Sequence, residues 1–495
     1  MQRLHNAYLA ACAAAVALAA TSAPAADTGR FWELTPYQID IVIAADLQGA
    51  NAEALAKAVV GYVERRIDTA IGPLWSATVS LAEGAERHAV LSALRSGNPT
   101  APPGLREDSD KWMVIAVWED GAGVHLAGAE QDRILNTWGR SRSADLSSAN
   151  QLGEAVFQLA CDIFAPIATF SIDSDDPNRV ELSLRGGQLS SPTPLSRWVG
   201  QDDVFRTVLM QMDRSGLPVE GGTQEVLWTY LVTRAQEGAP TGESENAAPE
   251  DESTSIVADV FSHTRRPFGV RRRGRVDQLA IRLPRTKGPS ELRLVSRGDS
   301  PRPLVGYEVF AQDGTDPEKK SIGKSGLTGA IAVPPGESPI QTVWVKSGSQ
   351  LAAKIPIATG ADPLIVAPLL DESKRLDAEA RLGLLREQLI DLVALRTIFA
   401  ARIDKAIEAG DLDQARGLLL EFRKLQGRAE FNARIDREEE QCKADDPVVQ
   451  QRIDKLFTDM KSVLGAFLGG DDINKLERRL DRAKNKPAET TAATP

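Results

Sequence analysis

The hydrophobic pattern of the chain changes period twice, near residue 276 and again near residue 371. Before the first change, alternating apolar runs typical of strands mix with stretches of 3–4 spacing typical of helices. Residues 276–368 carry only short alternating runs separated by Gly, Pro and Asp, and residues 371–485 have helical spacing. The pattern therefore predicts a multidomain α+β protein with three folded regions.

The first region, residues 31–237, is predicted to be an α+β domain with a mostly antiparallel sheet, because strands outnumber helices and several are hairpin neighbours. Two helices are predicted, Asn51–Ala70 with Asn51 as N-cap and Ser148–Phe164. Asp120-Gly121 predicts a hairpin turn. The predicted strands are Gln38–Ala44, Trp75–Ala82, Lys111–Glu119, Val124–Ala129, Ile167–Asp173, Arg179–Leu184, Val204–Met212 and Glu225–Thr233.

The middle of the chain is predicted to be a linker followed by an all-β domain. Residues 238–275 begin with an acidic, Pro- and Ser-rich stretch that has almost nothing to bury and continue as an Arg-rich loop. The spacing of the next strands predicts a β-sandwich over residues 276–368. Its alternating runs are Leu279–Ile281, Leu292–Leu294, Tyr307–Ala311, Thr342–Lys346 and Ala352–Ile357.

Residues 371–485 are predicted to form four helices. The first carries a seam with one polar break at Arg396 and ends at Gly410. Asp411, Asp446-Pro447 and Asp471 are predicted to start the next three helices. The seam allows a short homodimeric coiled coil, but a helical bundle within one chain is favoured because the following helices offer a partner. The apolar seam of the first helix consists of Leu382, Leu385, Leu389, Leu392, Phe399, Ile403 and Ala406.

Residues 1–26 are predicted to be a secretory signal peptide. Arg3 precedes the apolar stretch Ala7–Ala20, and Ala23-Pro24-Ala25 gives the small-x-small pattern of a cleavage site. The stretch is too short to span a bilayer, so no transmembrane segment is expected after cleavage and the protein is expected to be periplasmic or extracellular. Residues 486–495 are too small and polar to order, which predicts a disordered tail.

Composition narrows the classes of function. The charge balance is 58 − 69 = −11, which argues against a nucleic-acid binder. Four His and three Cys leave little material for a metal or haem site, so no cofactor and no metal are expected. Cleavage would leave Cys161 and Cys442, which are expected to be free thiols although an exported chain could join them.

Catalytic motifs do not gather in the sequence. His88, His125 and His263 are each isolated, and neither G-x-S-x-G nor H-E-x-x-H occurs. No catalytic residue is therefore assigned. A carboxylate site assembled from distant segments, for example around Asp202 and Asp203, stays open as an alternative.

Two motifs are incomplete versions of ligand-binding loops. Gly323-Lys324-Ser325 ends like a phosphate-binding loop, but residue 318 is Glu where the first glycine is needed, which favours a polar turn. The stretch Asp173–Asn178 clusters carboxylates as Ca²⁺ prefers, but Pro177 stands where an oxygen ligand is needed. A solvated hairpin turn is favoured there.

The stretch after the acidic linker is the one candidate binding site. Arginine presents a planar donor fork that suits carboxylate or phosphate. The arginines are predicted to bind an anionic envelope component or an acidic protein face, although they could instead pair with the acidic linker. They are Arg265, Arg266, Arg271, Arg272, Arg273 and Arg275.

Part of the middle region resembles a known family. The runs Pro303–Val309, Gly326–Val333 and Thr342–Gly348 resemble the carboxypeptidase-regulatory-like (transthyretin-like) β-sandwich over about residues 303–348. The usual Asp of its turn is missing, since Ser325–Gly329 stands in its place. The resemblance implies a non-catalytic accessory or adhesion-type domain. The whole chain also resembles uncharacterised exported bacterial proteins.

These observations together predict an exported binding or scaffolding protein of the cell envelope without catalytic activity. Its partner is expected to be a protein or an anionic envelope component. The alternative is a secreted hydrolase whose carboxylates meet in the N-terminal α+β domain.

Overall fold

The computed structural model describes residues 32–173, 176–194, 197–234, 255–268, 275–314, 316–469 and 471–485. The predicted signal peptide, most of the acidic linker, Arg271–Arg273 and the C-terminal tail lie outside these residues. The described chain is a multidomain α+β protein, as predicted. It contains a mixed sheet flanked by helices, a closed barrel, a two-sheet sandwich and a C-terminal helical region.

The first sheet has the order β2-β1-β3-β4, with β5 and β6 both pairing with β4. Strand β1 is parallel to β2 and β3, because helices carry the chain back between them, and the other pairs are antiparallel. Its strands are β1 (Tyr37–Asp46), β2 (Trp75–Leu81), β3 (Lys111–Asp120), β4 (Gly123–Asp132), β5 (Thr137–Trp138) and β6 (Arg142–Leu146). Its helices are α1 (Ala52–Arg66), α2 (Gly84–Arg95) and α3 (Leu152–Ile163).

The helices cover both faces of this sheet. On β1, Ile41 and Ile43 face a core shared with α1 and α3, whereas Val42 and Ala44 face a smaller core under α2. Because β1 is covered on both faces, it carries apolar residues on both faces. The hydrophobic pattern of such a strand does not show whether its neighbours are parallel or antiparallel. Strand β6 lies at the edge of this sheet and therefore borders both of its faces.

A closed six-stranded antiparallel barrel follows, with the order β10-β11-β8-β7-β12-β9. Its strands are β7 (Ile167–Ile172), β8 (Arg179–Leu184), β9 (Val204–Met212), β10 (Pro218–Thr233), β11 (Ser255–Ser262) and β12 (Arg275–Leu283). The barrel shares its core with the first sheet, since Ile167 and Leu182 belong to the same cluster as Ile41.

The barrel changes two assignments made from the sequence. Leu279–Ile281, predicted as a sandwich strand, lies in β12 and pairs with β7 and β9. Ser255–Ser262, predicted as linker, is strand β11 and pairs with β8 and β10. Both strands close the barrel against partners that are distant in the chain, so local spacing could not assign them. The boundaries of independently folding domains stay a prediction.

The sandwich consists of a three-stranded sheet, β16-β13-β19, and a four-stranded sheet, β15-β14-β17-β18. Leu292 and Leu294 of the first sheet share a core with Val309, Val343 and Val345 of the second. The strands are β13 (Ser290–Ser296), β14 (Glu308–Asp313), β15 (Lys320–Lys324), β16 (Ala330–Val333), β17 (Gln341–Ser347), β18 (Gln350–Ile357) and β19 (Leu364–Leu369).

Five helices make up the C-terminal region: α4 (Ser373–Glu408), α5 (Leu412–Lys424), α6 (Arg428–Gln441), α7 (Pro447–Phe467) and α8 (Asp472–Lys484). Asp411 caps α5 by accepting from the Gln414 N–H at 3.0 Å, and Asp446 caps α7 at the Val448 N–H at 2.8 Å. Helix α6 was not predicted, because it is highly charged and buries only Phe431 and Ile435.

The long helix α4 packs against other helices of the same chain. Its seam residues Leu385 and Leu389 share a core with Ile453 and Phe457 of α7. The polar break Arg396 lies over the ring of Phe422 in α5, 4.4 Å from its centroid. This packing is the intramolecular bundle that the sequence favoured. No helix in the described ranges is long and apolar enough to cross a membrane.

Candidate functional site

The predicted arginine site is only partly described. Arg265 and Arg266 are exposed just beyond the end of β11, and Arg275 is paired with Asp277 at 3.4 Å. Arg271, Arg272 and Arg273 lie outside the described residues. The proposal that this run binds an anion therefore stays a prediction.

The candidate carboxylate Asp203 is occupied by contacts within the fold. One oxygen accepts from Arg282 at 3.0 Å, and the other accepts from the Gly200 N–H at 2.7 Å. Ser325 of the incomplete phosphate-loop motif is similarly occupied, since its buried hydroxyl donates to the Leu304 carbonyl at 2.7 Å. These contacts favour structural roles for both residues.

A buried ionic cluster joins β3 to β4. The Nζ of Lys111 lies 2.8 Å from a carboxylate oxygen of Glu130 and 2.8 Å from one of Asp132. Burial alone would lower the pKa of Lys111, but Asp132 and Glu130 raise it above its ordinary value, so the cation is retained. Burial also raises the pKa of the Glu130 carboxyl. Both buried carboxylates also line a cavity.

That cavity is small. It has a volume of about 40 Å³ and lies where the first sheet, the barrel and the sandwich meet. Arg206 and Asp362, 2.6 Å apart, line it together with Glu130 and Asp132. The volume accommodates one or a few water molecules rather than a sugar or peptide substrate. The arrangement acts as an ionic junction between regions.

A much larger open groove runs around the edge strand β6, and we call it the edge groove. Its first cavity, about 600 Å³, lies between Ser141–Ala144, helix α3 and residues 285–287. Its second cavity, about 410 Å³, lies between Ser141–Ser143, the end of α2 and Trp118. Its third cavity, about 500 Å³, follows α2 from Arg87 to Ser96. The first and second cavities share Ser141–Ser143, and the second and third share Arg95 and Ser96.

The edge groove is cationic although the whole chain carries a charge of −11. Five cationic side chains line it against the two carboxylates of Asp46 and Asp162. Asp46 is already paired with one of the cations at 3.2 Å. The five cations are Arg87, Arg95, Arg142, Arg285 and Lys287.

The cations of the first cavity lack ionic partners. Among the described residues, Arg142, Arg285 and Lys287 form no ion pair. Arg285 donates only to a carbonyl, that of Pro339 at 3.1 Å, and Arg142 donates weakly to the Arg285 carbonyl at 3.4 Å. Burial lowers the pKa of the Arg285 guanidinium, with Asp203 and Asp202 opposing the shift. A partly desolvated, unpaired guanidinium is stabilised by an anion.

Trp118 lines the second cavity and makes two ring contacts. Arg95 lies over its ring, 5.0 Å from the centroid, and His125 stacks against it at 5.5 Å. His125 was predicted to be isolated, which is wrong. Its Nδ1 lies 2.7 Å from Asp145 and its Nε2 lies 3.0 Å from Asp120. The hairpin pairing of β3 with β4 brings these groups together.

The stability contributed by His125 is expected to depend on pH. The hydrogen bonds that the ring donates to the Asp145 and Asp120 carboxylates raise the pKa of His125 above 6.5. Because the folded pKa exceeds the unfolded value, the contribution is fully present below about pH 6.5 and is lost as the pH rises through the folded pKa. Urea unfolding should therefore show His125→Gln less stable than wild type at about pH 5.5, with the gap closing by about pH 9. A gap of constant size would contradict this, and His88→Gln, which removes an exposed histidine without an ion pair to described residues, is the control.

Both remaining cysteines are buried free thiols in different cores. Burial raises the pKa of Cys161 to about 12, which makes a thiolate nucleophile there unfavourable. The turn at Asp173–Asn178 joins β7 to β8, and its residues 174 and 175 lie outside the described chain. No cluster of three metal-ligating side chains occurs in the described residues.

Sequence reasoning missed the edge groove because its residues come from segments that are distant from one another in the chain. Arg95 ends α2, Arg142 begins β6, and Arg285 and Lys287 follow the last barrel strand. The one signal in the sequence is Pro284-Arg285-Thr286-Lys287, a short basic stretch between two β-regions. Without the barrel, nothing indicated that it would lie beside β6.

Comparison with known proteins gives no family for this chain. No protein family model and no curated protein matches it. Among solved structures, the crystal structure of TolB from Acinetobacter baumannii matches over 68% of this chain and 96% of that chain, with 12% sequence identity and a TM-score of 0.16. A similarity of this size carries no argument about fold or function. The resemblance of residues 303–348 to the carboxypeptidase-regulatory-like sandwich therefore has no family support and stays a prediction.

Proposed function

We propose that this is an exported, multidomain binding protein of the cell envelope that takes an anionic ligand in the edge groove. The observation that carries the proposal is a set of three adjoining cavities lined by five cations, of which Arg142, Arg285 and Lys287 line the first cavity without an ionic partner in the described chain. Export is supported by the leader-like pattern of residues 1–26.

The chemistry of the groove favours binding over catalysis. Its walls carry donors that recognise carboxylate, sulfate or phosphate groups. Its two carboxylates, Asp46 and Asp162, stand in different cavities, and Asp46 is paired with Arg95. His88 and Ser92 share the third cavity with Asp46, but no hydrogen bond among the described residues joins this imidazole to either group, as a general base and its nucleophile would require.

The hydrolase alternative would use Glu130 and Asp132. Both carboxylates contact the same Lys111 Nζ beside a cavity of about 40 Å³. This favours a structural role for the pair. Reproducible turnover of a substrate that disappears in Glu130→Gln would establish the hydrolase instead.

The proposal predicts that groove cations, and not cations elsewhere, determine anion binding. The combined substitution Arg142→Ser, Arg285→Ser and Lys287→Ser should weaken binding to immobilised poly-L-glutamate by about ten- to a hundred-fold at low salt. Added salt should weaken wild-type binding steeply, because open grooves are screened. Binding is measured by surface plasmon resonance over a salt series.

Two further triple variants distinguish binding in the edge groove from binding at the arginine run and from a general effect of lost charge. Arg386→Ser, Arg402→Ser and Arg478→Ser removes the same charge from exposed arginines of the helical region that form no ion pair with described residues, and it should bind nearly as wild type. Arg271→Ser, Arg272→Ser and Arg273→Ser tests the arginine run predicted from the sequence. If only that last variant lost binding, the groove would not be the site.

A further inference from the structure

We infer that the ligand of the edge groove is an extended acidic segment of another protein, which adds as a strand to the outer edge of β6. This inference rests on the proposed function and names its partner class.

Strand β6 is an edge strand. It pairs with β4 from Gly128 to Val124, and no other strand in the described residues pairs with its outer side. An edge strand presents unpaired N–H and C=O groups that can continue the sheet with another chain. Ser141–Ala144 line the first cavity, with helix α3 and residues 285–287 on its other sides.

The groove has a cavity on each side of this edge. The first cavity lies on the α3 side of the sheet, and the second lies on the α2 side, where Trp118 and Ala127 line it. Ser141–Ser143 line both. Side chains of a strand alternate between the two faces of its sheet. A strand added to β6 would therefore place successive side chains in the two cavities in turn.

Charge favours an acidic strand. The α3-side cavity contains Arg285 and Lys287 without ionic partners, together with the single carboxylate of Asp162, and the α2-side cavity contains Arg95 over Trp118. Arg142, in the edge strand itself, lines both cavities. The Ser141 hydroxyl is buried between them without a hydrogen-bond partner in the described chain. A peptide with carboxylates at alternate positions matches the α3 side, and apolar or threonine side chains match the surface of Trp118.

The test uses the backbone of the ligand, which leaves the protein unchanged. The probe is a fluorescent nine-residue peptide alternating Glu with Thr or Val, titrated against the full chain by fluorescence anisotropy. In an added strand only every second residue pairs with β6. Methylating the backbone nitrogens of the peptide residues that pair with β6, which are every second residue, should therefore reduce affinity roughly tenfold or more. Methylating those of the residues in between should change it little. Amide hydrogen exchange should slow in β6 when the unmodified peptide binds.

The outcomes distinguish this inference from the proposed function. If both methylated peptides bind as the parent does, while the Arg142, Arg285 and Lys287 variant still loses binding, the groove binds anions without strand addition and the inference fails alone. If the groove variant binds the peptide as well as wild type, the proposed function fails with it. Vesicles containing phosphatidylglycerol are the second arm, and binding to them without binding to the peptide would identify a lipid surface and overturn the inference.

Discussion

Replacing Lys111 with Met is expected to lower the free energy of unfolding by about 3–5 kcal/mol, because it leaves two buried carboxylates without their cation. Lys111 is fully buried, and its Nζ lies 2.8 Å from both Glu130 and Asp132. Methionine keeps most of the length of the side chain and removes only the charge and its donors. Urea unfolding followed by circular dichroism measures the loss.

Two variants check the cause of this loss. Adding Glu130→Gln and Asp132→Asn to Lys111→Met removes the uncompensated charge and should recover part of the stability. Lys57→Met breaks the exposed pair with Glu53, which is 2.6 Å long, and should leave the midpoint unchanged. A loss of equal size in Lys57→Met would mean that burial of the charge is not the reason.

Replacing Arg375 with Met is expected to cost about 3 kcal/mol and to loosen the contact between the helical region and the sandwich. Arg375 is fully buried near the start of α4 and donates to Glu372 at 2.9 Å and to the Ser347 carbonyl of β17 at 2.5 Å. The variant would remove the hydrogen bond from Arg375 to that carbonyl and its ion pair with Glu379, while Glu372 keeps its contact with Arg452. Urea unfolding measures the stability.

A second readout locates the effect. Hydrogen exchange should accelerate from Glu372 to Glu379 and in β17 before it does in the first sheet, since these segments meet at Arg375. Arg416→Met is the matched control, because its pair with Asp413 is exposed. Uniform acceleration over the whole chain would show that the junction does not unfold separately.

The buried ionic junctions and the edge groove use charge in different ways. Lys111 and Arg375 have ionic partners within the fold, whereas Arg285 and Lys287 line the first cavity without an ionic partner in the described chain. Unpaired cations contribute little to stability, so their substitution should affect binding more than folding. This separation is why the groove variants can test function without unfolding the protein.

Much of the secondary structure follows from the sequence because it depends on neighbours in the chain. The predicted strand Gln38–Ala44 lies within Tyr37–Asp46, and the hairpin after Lys111–Glu119 forms where Asp120-Gly121 predicts it. Asp411 and Asp446 cap helices as predicted, since a cap acts within three residues. The multidomain α+β class follows from the same local periods.

The barrel and the groove were decided by tertiary structure. Strand β12 pairs with β7, more than a hundred positions earlier in the chain, and its local pattern suits a sandwich equally well. Closure of the barrel then carries Arg285 and Lys287 to the edge of β6, beside Arg142. His125 acquires its two carboxylates in the same way, from the pairing of strands. The hydrophobic period of a segment shows which of its faces is buried. Contacts between segments distant in the chain determine which partner covers that face, and the groove is formed by such contacts.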